Sequence, residues 1–307
     1  MPTFNKQMKA MAALFPTLAK PLRWSRDSIV RSQISKILAS REQSQTTRAE
    51  SDFGQLQKEF NGVPEYGFDP HSVWKRGMER ASLLSEMLHE PNHSCRILEV
   101  GCGDAMTGYM LSIHGHLVTV SDMDDWRDPR AASLEFCQQN LERPLPFAPN
   151  TFDLIYSYNS FEHFQDPAKC FGELSRLVKP SGVIHLSFGP LYASPWGLHA
   201  WSSLKMPYPQ FLFSEKFISE KIKETGICDL GKQSDSLQPL NRWTVGEFCN
   251  LWSDSTWHTI KSDFWAPKSF LYLIKRYPEC FFGRGLTYED VTVQAISVTL
   301  RRRIPET

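Results

Sequence analysis

The stretch that most constrains this chain is RILEVGCGDAMTG, residues 96–108. Apolar residues with a strand's character (Ile97, Leu98, Val100) run directly into Gly101 and Gly103, and a helical segment follows at once. Such a tight strand-to-helix turn opens, in α/β sheets, onto the crevice at the strand's carboxyl end where ligands bind. A dinucleotide fingerprint would place a third glycine at position 106, where Met106 stands, and a P-loop would end in Gly-Lys-Ser/Thr. Glu99 is expected at the lip of the turn, where a carboxylate repels a pyrophosphate and attracts a cation. The ligand expected there is cationic.

The surrounding pattern supports an α/β fold. Asp69-Pro70 starts a helix whose apolar face runs through Val73, Trp74, Met78, Ala81, Leu84 and Leu88, with Pro91 as its stop. Strands are expected at 96–100, 116–121, 152–157 and 182–188. Helices are expected between and after them at 105–113, 131–139 and 167–178. A later helix at 244–254 precedes a strand at 257–263, and DVTVQAISVTL (290–300) closes the chain as a strand. The alternation predicts a Rossmann-like three-layer sandwich around a mostly parallel seven-stranded sheet with an antiparallel last strand. Residues 190–240 and 265–286 interrupt the rhythm; both are aromatic and proline-bearing, as lid insertions commonly are.

Further motifs fall at informative distances. HLVTVSD ends at Asp122, 23 residues beyond Glu99, where an acid can accept hydrogen bonds from ribose hydroxyls; Asp124 and Asp125 are rivals. NLERPLPFAPNTFDLIYSYNSFEHFQDP (140–167) and ELSRLVKPSGVIHLSF (173–188) follow. With these, residues 96–188 resemble the core of class I S-adenosylmethionine-dependent methyltransferases, of the broad type that includes the ubiquinone and menaquinone biosynthesis enzymes. The family's acid-x-Gly-x-Gly loop is matched by Glu99, Gly101 and Gly103, with Ala105 where many members have another glycine.

The resemblance implies S-adenosylmethionine as cofactor. Its methionine end would be wrapped by Glu99, Gly101, Cys102 and Gly103, and its ribose held at Asp122 and Met123. The adenine would lie at Asn140 and Leu141, and Ser157 beside the reaction centre. Asn140 stands where the family usually has an acid; its amide oxygen can still accept a hydrogen bond, and Glu142 is a substitute. Asp153 is read as a structural residue.

Methyl transfer from a sulfonium needs alignment, and a base only where the acceptor must lose a proton. His163, after Glu162, and His199, in GPLYASPWGLHAW, are the candidate bases, whereas His185 is expected in the core. The Asn-Pro-Pro-Tyr/Phe signature of amide and exocyclic-nitrogen methylation is absent, and Tyr158-Asn159-Ser160-Phe161 stands there. No basic, aromatic-interleaved stripe for nucleic acid is visible. The acceptor expected is a small molecule or a glycan, methylated on oxygen. A protein or RNA methyltransferase and an idle cofactor-binding scaffold are the alternatives.

Lys+Arg and Asp+Glu both number 34, yet residues 1–50 hold nine basic against three acidic residues. Met8, Met11, Ala12 and Phe15, then Val30, Ile34, Ile37 and Leu38, predict two short basic amphipathic helices in residues 5–40. Three readings fit this arm: a membrane or partner contact, a targeting segment, or helices packed on the main body. Residues 41–62 are polar and read as a linker with a loose helix, so a basic extension and linker over 1–62 would precede a catalytic domain over 63–307. Seven scattered cysteines without a C-x-x-C pair suggest a reduced, cytoplasmic protein with no metal site.

Overall fold

A computed structural model describes residues 19–60, 66–88, 93–229 and 232–303. Three helices come first: α1 (Ala19–Leu38), α2 (Thr47–Ser51) and α3 (Phe53–Glu59). Then α4 (Pro70–Ser85) leads into β1 (Arg96–Val100), α5 (Met106–Ile113), β2 (Leu117–Asp122) and β3 (Glu135–Gln138). After these come β4 (Phe152–Tyr158), α6 (Pro167–Leu177), β5 (Val178–Phe188), α7 (Pro209–Leu212) and α8 (Glu215–Thr225). A hairpin of β6 (Ile227–Asp229) and β7 (Lys232–Ser234) precedes α9 (Val245–Asn250), β8 (Trp257–Trp265), α10 (Leu271–Arg276), α11 (Tyr288–Thr292) and β9 (Ala295–Arg302).

The main sheet has seven strands in the order β3-β2-β1-β4-β5-β9-β8. β1, β2, β3, β4 and β5 pair in parallel, while β9 is antiparallel to both β5 and β8. The reversed strand is therefore β9 alone, as the sequence predicts. Alternate residues of β1 face opposite layers. Ile97 packs with Val73, Ala81, Met106 and Met110 of α4 and α5, and Leu98 with Phe171, Leu174 and Phe248 of α6 and α9. Asp69 caps α4 by accepting from the His71 and Ser72 amides, with Pro70 in the first turn.

Four expectations are corrected. The helix expected at 131–139 is the edge strand β3, paired to β2 with Cys137 opposite Ser121. The strand expected over 290–300 begins at Ala295, because a capping box between Thr287 and Asp290 winds Tyr288–Thr292 into a helix. The helix expected over 244–254 ends at Asn250, and α4 ends at Ser85, short of Pro91, which lies outside the described residues.

The N-terminal helices share an apolar cluster with the two interruptions of the α/β rhythm. Ile34 and Leu38 of α1, Ala49 of α2 and Leu56 of α3 are buried among Leu204, Tyr208, Leu212, Phe213, Ile274 and Tyr277. Where a linker with one loose helix is expected, residues 47–59 form two packed helices. The first arm helix expected, around Met8 to Phe15, lies outside the described residues. The second is α1, which starts earlier than expected and turns Ile34 and Leu38 inward. No helix among the described residues is long and apolar enough to cross a membrane.

Candidate active site

The glycine loop is shaped by its backbone. Gly101 and Gly103 adopt left-handed φ values of 65° and 50°, which cost glycine nothing and any other residue strain. A Cβ on Gly101 would also lie 2.2 Å from Ser160 Oγ, whereas Gly103 has open space above it. The Gly101 and Cys102 amides donate to Ser121 O, and the Gly103 amide donates to Asp122 Oδ2 at 2.9 Å. Asp122 Oδ1 accepts from the Met123 amide at 2.7 Å, so the carboxylate is held beside the loop at the end of β2. Burial pushes its pKa up, against the pull of these amides.

Glu99 is not at the lip. Its carboxylate is buried beneath the loop and accepts from the Gly108 amide in α5 at 3.1 Å. Desolvation raises its pKa to about 8, with Asp104 adding to the rise and Arg80 opposing it. It therefore supports the turn from below. The role a third glycine would have in close packing passes to Gly77 of α4, whose Cβ would lie 2.5 Å from Met106 Cγ.

Leu141 is buried, and the Asn140 side-chain oxygen already accepts from the Glu142 amide at 2.8 Å. Glu142 accepts in turn from the Gln165 amide at 2.7 Å, tying it to the approach to α6. Ser157 lies inside β4, opposite Leu186, and its hydroxyl is buried with no partner among the described residues. Met123 is 62% exposed at the rim, and Cys102 is buried. Asp153 joins the start of β1 to β5 by accepting from the Arg96 amide and Lys179 Nζ, the structural role expected of it.

His163 and His199 come together, with ring centroids 5.0 Å apart and planes nearly perpendicular. A carbonyl can only accept, so each ring's tautomer is fixed by its neighbour. His163 Nδ1–H donates to Pro239 O at 2.9 Å and His199 Nε2–H to Pro190 O at 2.8 Å. Burial, with His163 adding to it, pushes His199 down to about 3. Glu162 lies beneath them with Oε1 taking the Gly189 amide at 3.1 Å. Asn241 clamps the same turn, donating to Phe161 O and Phe164 O. His185 is a core residue as expected, bonded through Nδ1 to Thr299 Oγ1 while Nε2 is left without a partner.

Residues 98–186 match the family described as "Methyltransferase domain". A ubiquinone biosynthesis O-methyltransferase of Photobacterium profundum is 28% identical over 102 residues, 30% of this chain and 43% of that protein. An uncharacterized methyltransferase of Schizosaccharomyces pombe is 29% identical over 141 residues, 40% of this chain and 49% of that protein. The chain thus spans less than half the length of these two curated relatives. An S-adenosylmethionine dependent methyltransferase structure from Mesorhizobium loti aligns over 77% of this chain and all of that one, at 17% identity and a TM-score of 0.45. Residues 98–186 carry a methyltransferase domain. The open space over Gly103, beside the Asp122 carboxylate, fits the approach of S-adenosylmethionine to bare backbone.

Sequence reasoning missed residues that flank the glycine loop and the end of β4. Arg76 of α4 pairs with Asp104 of the loop at 2.8 Å and lies over the Tyr66 ring. Arg80, one turn on, lies over Tyr158 at the end of β4. Asn159 donates to Tyr66 Oη at 3.4 Å, joining the segment before α4 to the end of β4. The i, i+4 spacing of Arg76 and Arg80 is the signal that could have revealed them.

Proposed function

We propose that this chain methylates a hydroxyl of a small molecule or of a saccharide, including a lipid-linked one. The observation that carries the reading is the Glu162–His163–His199 group at the carboxyl end of β4, next to the cofactor loop. A hydroxyl is a poor nucleophile until its proton has somewhere to go. His163 has its Nδ1–H tied to Pro239 O, so Nε2 is the acceptor nitrogen, 4.0 Å from Glu162 Oε1. The carboxylate stabilises the imidazolium formed when Nε2 takes the proton. His199, held neutral by burial, is a weak base and positions the first ring edge-on.

When bound, the cofactor supplies a methyl group already activated on sulfonium. Held over Gly103 beside Asp122, it would give that methyl group to the acceptor oxygen and leave as neutral S-adenosylhomocysteine. The relatives named as ubiquinone biosynthesis O-methyltransferases add support for oxygen, at low identity and over part of their length.

The test pairs binding with turnover. Calorimetry should show S-adenosylmethionine and S-adenosylhomocysteine binding to wild type and to His163→Ala alike. Extracts of cells lacking the gene, given purified protein and labelled cofactor, should yield a methylated hydroxyl compound with wild type only. Label transferred to protein or RNA, or cofactor binding without any product, would overturn the reading.

A further inference from the structure

We infer that Glu162, His163 and His199 form a binding site for a divalent transition-metal ion at the acceptor end of the methyltransferase domain. One donor atom from each lies within 4.8 Å of the others. Three ligands around zinc at about 2.0–2.2 Å stand roughly 3.3 Å apart, so a closure of up to about 1.5 Å completes the site.

Two observations point to a ligand, independently of proximity. The first is the orphaned carboxylate oxygen: Glu162 is only 2% exposed, and Oε2 is buried without a hydrogen-bond partner among the described residues. A buried carboxyl oxygen left unpaired is costly, and a cation would satisfy it. The second is the tautomer pattern. Ring N–H donation from His163 Nδ1 to Pro239 O and from His199 Nε2 to Pro190 O leaves the other nitrogen of each ring with its lone pair. Metal-binding histidines are oriented in this way, with the far N–H given to a backbone carbonyl.

The third ligand comes from the segment after β5. His199 sits at a left-handed φ of 57°, and its side chain reaches back over the Glu-His turn. No spacing in the sequence signals the site, because His199 stands 36 positions after His163.

Two histidines and one carboxylate suit zinc, iron, cobalt or nickel better than magnesium, and leave a coordination position open. An acceptor hydroxyl at that position would lose its proton to solvent because the cation lowers its pKa. That consequence rests on the hydroxyl-methylation reading; metal binding itself does not. In the loaded protein His163 Nε2 is a ligand, so the cation replaces it as the means of deprotonation.

The full chain, stripped with a chelator, should bind one equivalent of Co2+, followed by its visible d–d absorption, and one of Zn2+ in competition with a chromophoric chelator. His163→Ala and His199→Ala should each weaken Zn2+ binding by at least about 100-fold, since even second-shell losses cost 10–100-fold. Both variants should still bind S-adenosylhomocysteine, which shows that the fold is intact. Glu162→Gln, which keeps the volume, should change the cobalt spectrum. If wild type binds no more Zn2+ than the double histidine variant, or the cobalt spectrum is the same in all four proteins, the site is wrong. Product formation that survives full chelation would leave His163 as the base and overturn the metal's part in turnover, whereas absence of any hydroxyl product with bound metal would sink the acceptor reading alone.

Discussion

Gly101 and Gly103 look equivalent in the motif but do different work. Both need a left-handed backbone, yet only Gly101 faces a side chain, Ser160, within contact. Gly101→Ala should therefore lower the thermal midpoint and destabilise by more than about 1 kcal/mol, because alanine is strained there and also clashes. Gly103→Ala should cost less stability and instead weaken S-adenosylmethionine binding, because its methyl group enters the open space above the loop. Paired melting curves and calorimetry check both, and equal effects on the two readouts would contradict this division.

Glu99 offers a second residue-scale test. Its pKa is raised to about 8 by burial, so the folded state keeps a proton that the unfolded chain releases near pH 4–5. The stability this protonation contributes is present at low pH and is lost as pH rises from the unfolded value through about 8. Glu99→Gln, which can still accept from Gly108, should flatten the fall in urea midpoint between pH 5 and 9 while cofactor affinity holds. A wild-type midpoint insensitive to pH over that window would show that the carboxylate is ionised throughout. The sequence reveals an acid two residues before the first glycine, but not that its side chain turns under the loop. That direction is set by the approach of α5, with Gly108 leaving room for the carboxylate.

At the scale of elements, the strand-turn-helix order was legible because apolar strands punctuated by glycine and proline leave few readings. The exceptions have local causes. β3 is a four-residue edge strand whose residues are exposed or half-buried, so it carries no clean apolar period. α11 is hidden inside a run of β-branched residues and is set by the Thr287–Asp290 cap. The contact of α4 with α5 could not be seen at all, since it depends on Gly77 meeting Met106 across two elements. Gly77→Ala should cost about 1–3 kcal/mol through overpacking and weaken cofactor binding by shifting the start of α5. In the double variant with Met106→Ala, the two costs should sum to less than the separate values, because the smaller side chain makes room. Additive costs in urea titrations would argue against the contact.

For the molecule as a whole, the question is what residues 19–60 are for. Of the three readings the sequence leaves for the basic arm, the burial of α1 to α3 against residues from 193 onward fits helices packed on the main body, and makes this segment part of one apolar body. Polar contacts surround that seam: Glu59 accepts from Tyr272 Oη and Arg276 at 2.7 Å each, and Asp52 from Tyr277 Oη at 2.7 Å. The Glu59–Arg276 pair is partly exposed, and such pairs contribute about 0–1 kcal/mol. Leu56 is fully buried, and truncating a buried leucine costs about 2–5 kcal/mol. Apolar burial should therefore decide the docking. Leu56→Ala should lower the urea midpoint markedly, Glu59→Ala only slightly, and proteolysis of the Leu56→Ala variant should begin within residues 41–60. If these residues were a tether, Leu56→Ala would leave the midpoint unchanged, and the segment around His199, which packs on the same body, would owe its position to the sheet alone.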